Sequence, residues 1–182
     1  METIKQTMID DLFNSEISLI DVQSFSTEKY LEMIKNTDRV ILVLNNASKD
    51  EKEIQQLARI IVLKAELYNR IKNYSEAFKN FEITIEIIKR SKEDFFLAKL
   101  KSLYGLAWTT ARMGDYQNGI RLSNILINYA IKEKKLFGSY FIVRGACQKE
   151  LGNFEKAERD FTIGNNPTYV TMIEQKGDKN IF

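Results

Sequence analysis

Gly145-Ala146-Cys147-Gln148-Lys149-Glu150-Leu151-Gly152-Asn153-Phe154-Glu155-Lys156-Ala157-Glu158-Arg159-Asp160-Phe161 reads as the inner half of a helix hairpin. A small residue, Gly145, lets a second helix approach the first closely. Gly152-Asn153 ends the first helix with a left-handed cap and opens the second with an N-cap. Phe154 is expected to wedge between the helices, with small Ala157 beneath it one turn on. The same offsets occur twice upstream. Ala107, Gly114-Asp115, Tyr116, Gly119 and Ser123 repeat the pattern, as do Ala65, Lys72-Asn73, Tyr74, Ala77 and Phe81. A single hairpin of this kind cannot bury its apolar stripe, whereas copies stacked flank to flank share a continuous core.

These residues resemble the tetratricopeptide repeat. Gly145…Leu151-Gly152-Asn153-Phe154-Glu155-Lys156-Ala157…Phe161 and Ala107…Met113-Gly114-Asp115-Tyr116…Gly119 match most fully, followed by Asn73-Tyr74-Ser75-Glu76-Ala77…Phe81, and the resemblance covers about residues 50 to 167. It implies an all-α fold, a right-handed superhelical solenoid of antiparallel helix pairs. Three departures stand out. The family period is about 34 residues, whereas Tyr74 and Tyr116 are 42 apart and Tyr116 and Phe154 are 38 apart. Ser123 also replaces the second aromatic of the middle unit, and the inter-repeat proline is missing from the first two units. The longer spacing resembles the long-helix variants found in bacterial regulators.

Composition agrees with helices. The 182 residues include one proline and eight glycines, too few for the turns of an all-β domain. Apolar residues make up 44% and charged residues 29%, the profile of a globular chain. Net charge is +2, which gives no strong pull toward nucleic acid or anionic lipid. Lys132, Lys134 and Lys135 read as a solvated helix end. There is no histidine, and Cys147 is the single cysteine, so no intramolecular disulfide can form. The N-terminal residues lack a secretory apolar stretch, and the longest apolar run, Val40 to Leu44, is too short to span a bilayer. A cytoplasmic protein is the expectation.

The expected organisation is an N-terminal helical capping segment over 1–47, three helix hairpins over 48–167, and a short helix with a frayed tail over 168–182. Within the first segment, Ile4, Met8, Leu12 and Phe13 suggest a helix, 15–26 a packed loop, and Glu28 to Asn36 a helix. The Val40–Leu44 run fits a strand or a buried helix by its pattern; a cap over the first repeat favours the helix. Ser48-Lys49-Asp50-Glu51 reads as a capping box. Ser91 or a neighbour is expected to start the helix carrying Phe96, Leu100, Leu103, Leu106, Ala107 and Thr110 inward. Gly164-Asn165-Asn166-Pro167 stops the last hairpin, and Tyr169, Val170, Met172 and Ile173 suggest a short final helix.

No catalytic constellation is present: there is no phosphate loop, no dinucleotide fingerprint, no paired cysteines and no histidine-based triad. Cys147 reads as a packing cysteine, and Glu150, Glu155, Glu158 and Asp160 as a solvated face among Lys149, Lys156 and Arg159. The expectation is no enzyme, no cofactor and no metal. The family resemblance implies instead a concave groove lined by the first helix of each hairpin. Groove positions hold Val62, Glu66, Asn69 and Arg70 in the first unit. They hold Tyr104, Trp108, Ala111 and Arg112 in the second, and Ile142, Ala146, Lys149 and Glu150 in the third. Tyr104, Trp108 and Arg112 recur at four-residue steps and form one stripe. Val62 and Glu66 do not supply the lysine-and-asparagine clamp with which one sub-class grips chaperone tails. The resulting expectation is a protein- or peptide-binding adaptor or scaffold. The alternatives are a regulatory domain that senses a peptide or effector and controls a transcription or signalling protein, and a structural homo-oligomer built through the solenoid ends. Self-association through the terminal repeat is one form of the last.

Overall fold

The computed structural model describes residues 25–45, 50–92 and 95–176. The N-terminal helix and most of the loop expected before residue 25 lie outside the described residues, as do Ser48 and the tail from 177. The described residues hold eight helices and no strand. They fall into two compact units, split between Lys99 and Leu100.

In the first unit, α1 (Thr27–Asn45) packs on α2 (Glu51–Arg70), which packs on α3 (Tyr74–Arg90). The ambiguous apolar run is the last turn and a half of α1. Val40 and Leu44 are buried while Leu42 is 63% exposed, the four-residue spacing of a helix face rather than the alternation of a strand. Val40 and Leu44 join Tyr30, Met33 and Ile34 against Ile60, Leu63 and Leu67 of α2. Lys64 Nζ meets Asp38 Oδ1 at 2.7 Å across the same pair. The α2 N-cap is Asp50, whose carboxylate accepts the Glu53 N–H at 2.8 Å; it takes the role expected of Ser48. Ser91 closes α3 as its C-cap rather than opening the next helix, and its hydroxyl donates to Glu51 of α2.

In the second unit lie most of α4 (Phe96–Arg112) and all of α5 (Tyr116–Lys132), α6 (Gly138–Glu150), α7 (Phe154–Gly164) and α8 (Pro167–Lys176). Successive helices from α5 to α8 pack on one another. Small residues set the spacing. A Cβ added at Gly119 of α5 would fall 2.7 Å from Cys147 Sγ of α6 and 3.8 Å from the Ala107 carbonyl of α4. One added at Gly145 would fall 3.0 Å from Asp160 Cβ and from the Phe161 ring of α7. With Gly145 bare, Asp160 comes close enough for its neighbour Arg144 to grip it. The guanidinium donates to both carboxylate oxygens at 2.8 and 2.7 Å, and its third nitrogen donates to Asn124 Oδ1 of α5 at 2.7 Å. Both ion-pair side chains are about 5% exposed or less. Asp160 is therefore buried and not part of the solvated face read from its neighbours. Leaving such a charge unpaired costs about 3–5 kcal/mol.

The turns inside the three hairpins share one geometry, which Lys134 (φ 54°) repeats after α5. Lys72, Gly114 and Gly152 take φ of 60°, 84° and 76°. Each is followed by a residue whose N–H reaches back five positions: Asn73 to the Tyr68 carbonyl (2.9 Å), Asp115 to Thr110 (3.2 Å), Asn153 to Gln148 (2.9 Å). Asn73 and Asp115 then cap the next helix through their side chains, whereas the Asn153 amide donates to Gln148 Oε1 instead. The wedge role expected of the aromatics after these turns does not hold throughout. Tyr74 and Tyr116 are half-buried, but Phe154 is 68% exposed. Ala77 and Ala157, buried at 0% and 3%, take the closest positions.

Lys72 stands in the left-handed region, where a Cβ costs about 1–2 kcal/mol. Its side chain is exposed, so little packing is lost by removing it. Lys72→Gly is expected to raise unfolding free energy by about 0.5–1 kcal/mol in urea titration, after the flexibility of glycine in the unfolded chain is subtracted. A loss of stability would show that the lysine contributes more than its backbone strain.

Candidate partner-binding site

Helix α4 carries the clearest candidate. From Ser102 to Thr110 only Tyr104 and Trp108 are not buried, and Arg112 follows at the exposed end. Neighbouring elements therefore cover this stretch of the helix on every side but one, and the remaining strip bears Tyr104, Trp108 and Arg112. The Arg112 guanidinium lies over the Trp108 ring, 4.7 Å from its centroid, within reach of the ring's quadrupole. The Tyr104 ring lies 5.6 Å from that of Tyr140 at the start of α6, and Phe137 meets Tyr140 edge-on at 5.6 Å. Three rings thus link α4 to the N-terminus of α6, with Phe137 53% exposed at its edge.

Burial raises the Tyr104 phenol above its ordinary value, and a hydrogen bond with Ser139 opposes the shift. Burial, then the neighbouring Tyr104, pushes Tyr140 well above the phenol range. Both rings stay neutral at physiological pH, as hydrogen-bonding and stacking groups.

The remaining groove positions are placed unevenly. Val62 is 1% exposed, inside the consecutive buried run Ile60 to Leu63, so it is core and is not available to a partner. The reason is that α2 is covered by α1 and α3 at once, which the stripe pattern of one helix does not reveal. Glu66 and Asn69 are half-buried and engaged with neighbours, and Arg70 is exposed at the end of α2. Ile142 turns toward its own hairpin: a Cβ at Gly164 of α7 would meet its Cδ1 at 2.7 Å. Ala146, Lys149 and Glu150 are exposed. Phe137, Ser139 and Tyr140 were missed by the repeat offsets; the aromatic pair three residues apart at the head of α6 was the available signal.

A second surface lies between α7 and α8. It is an open cleft of about 500 Å³ lined by Glu155, Glu158, Arg159, Thr162, Ile163, Tyr169 and Ile173. Val170 is buried beneath α8, and Glu174 accepts the Leu136 N–H at 2.8 Å. Tyr169 and Met172 are 46% and 41% exposed.

The helix pairs and their repeated turns define the class: an all-α protein of the helical-solenoid type, with hairpins resembling the tetratricopeptide repeat. Sequence comparison points the same way. The chain is similar to tetratricopeptide repeat protein 16 of Homo sapiens, 24% identical over 106 residues, which is 56% of this chain and 12% of that protein. Its counterpart in Macaca fascicularis is 26% identical over 99 residues, 52% of this chain and 11% of that protein. The chain thus spans a small fraction of the relatives it matches. No family model matches it, and no solved structure matches it significantly. Among the described residues, no helix is long and apolar enough to cross a membrane.

Cys147 is fully buried against Gly119, and burial pushes its thiol up to about 11, with the charge of Glu150 adding. At pH 8 the native thiolate fraction is then about a hundredfold below that of a thiol at its ordinary value near 9. Alkylation by iodoacetamide is expected to be slow until urea unfolds the chain. Rapid native labelling would contradict the packing.

Proposed function

We propose that this chain is a non-enzymatic module that binds another protein, or an extended peptide, through the face formed by α4 and the start of α6, and acts as an adaptor or scaffold. One observation carries the reading. Helix α4 is covered along Ser102–Thr110 except for a strip bearing a tyrosine and the chain's single tryptophan, over whose ring lies Arg112 from the exposed end of the helix. Tryptophan, tyrosine and arginine dominate binding energy at protein interfaces, because each combines a large apolar area with polar edges. Exposing them costs solubility, so a partner that covers them explains their placement. The similarity to tetratricopeptide repeat proteins supports a protein-interaction role. A cytoplasmic setting fits the single, buried cysteine.

A second reading, end-on self-association, draws on the open α7–α8 cleft beside the exposed Phe154, Tyr169 and Met172.

The test is affinity purification from the native host with the wild-type chain and with Trp108→Ala, Arg112→Ala. The recovered partner is expected to bind the double variant at least ~2 kcal/mol more weakly by calorimetry, with circular dichroism still helical. Equal binding would remove this face from the account. Light scattering of the purified chain addresses the second reading: mass rising with concentration supports it, and a strict monomer rules it out.

A further inference from the structure

We propose that the partner segment is acidic, its carboxylates meeting Arg112 where that guanidinium lies over the Trp108 ring. This rests on the partner-binding reading above and adds the partner's chemistry.

Charge distribution is the first support. Helix α4 contains no Asp or Glu; its charged residues are Lys99, Lys101 and Arg112. Lys101 and Arg112 are exposed on either side of Tyr104 and Trp108. Lys134 and Lys135 are exposed in the turn just before Phe137, and Lys149 is exposed in the last turn of α6. Two of the acids nearby are already engaged. Glu133 is half-buried beside Lys132 at 3.9 Å. Asp115 is taken up as an N-cap, accepting from the Asn118 backbone at 3.2 Å and its amide at 2.6 Å. Glu150 is the exposed counter-charge on α6. The result is a local cationic surface on a chain whose net charge is only +2. Nucleic-acid binding ordinarily goes with a broad basic excess, so a short acidic segment fits this surface better.

The geometry of Arg112 is the second support. Lying over the indole 4.7 Å from its centroid, the Arg112 guanidinium keeps N–H donors available for a two-point contact with a carboxylate. Stacking also fixes a long side chain in advance, which lowers the ordering cost of binding. Tyr104 and the exposed edge of Phe137 then offer apolar contact for a residue lying between the acids.

The experiment pans a random dodecapeptide library against the full chain, then measures selected peptides against wild type, Arg112→Gln and Trp108→Ala. Selected peptides are expected to be rich in Asp and Glu around an aromatic or aliphatic residue, and to lose affinity as salt rises. Arg112→Gln, a change at an exposed helix end, should weaken them at least about tenfold while the helical signal is unchanged. Arg112→Lys, which keeps the charge without the planar fork, should restore only part of the affinity. Neutral or basic peptides whose binding Trp108→Ala abolishes would overturn the acidic proposal and leave the face standing as a binding site. Peptides that bind both folded variants as tightly as wild type would overturn the face itself, and this proposal with it. An oligothymidylate that binds the same face more tightly than any selected peptide would overturn the proposal in favour of nucleic acid.

Discussion

Helices in this protein approach one another as closely as they do because residues without bulk stand at their crossings. At Gly119 a single added carbon would fall well inside van der Waals contact with Cys147 Sγ, and at Gly145 it would press on Asp160 and Phe161. Interiors are packed to crystal density, so crossings fixed this tightly determine where every neighbouring side chain can lie. The Arg144–Asp160 pair depends on it directly, since Asp160 reaches the guanidinium only while Gly145 leaves room. Fully buried residues such as Phe141 of α6, worth about 1.5–3 kcal/mol, add to the packing of these helices.

The proposed binding surface follows from the same packing. Because α4 is enclosed along most of its length, its chemistry is confined to one strip, and that strip is aromatic and cationic. The Tyr104–Tyr140 contact joins the strip to α6, so the face is held by two helices rather than displayed on one. Side chains already held by such contacts lose less freedom on binding.

The hairpins were legible in the sequence because their signals are local. A left-handed residue followed by Asn or Asp, with a small residue seven before and another five after the left-handed position, needs no knowledge of the rest of the chain. Lys72 shows that the turn persists even where glycine is absent. What stayed hidden depends on a third element. Val62 fits a groove position by its offset but is buried, since the spacing within α2 says nothing of α1 crossing over it. Asp160 sits in a run of charges that reads as solvated, yet it turns inward to an arginine sixteen residues away. Phe154 keeps the aromatic offset of its counterparts without their burial, and an offset along one helix carries no sign of that difference. The Tyr104–Tyr140 contact was out of reach for the same reason: offsets place residues along a helix, not across a crossing.

The close crossing of α5 and α6 can be measured by a two-site cycle in urea unfolding. Alanine in place of a mid-helix glycine ordinarily stabilises by about 0.5–1 kcal/mol. If Gly119 lies against Cys147 as described, Gly119→Ala instead loses about 1–3 kcal/mol from overpacking, and adding Cys147→Ala recovers much of that loss. A Gly119→Ala variant as stable as wild type or more so, with the Cys147 change acting independently, would contradict the packing on which the account stands.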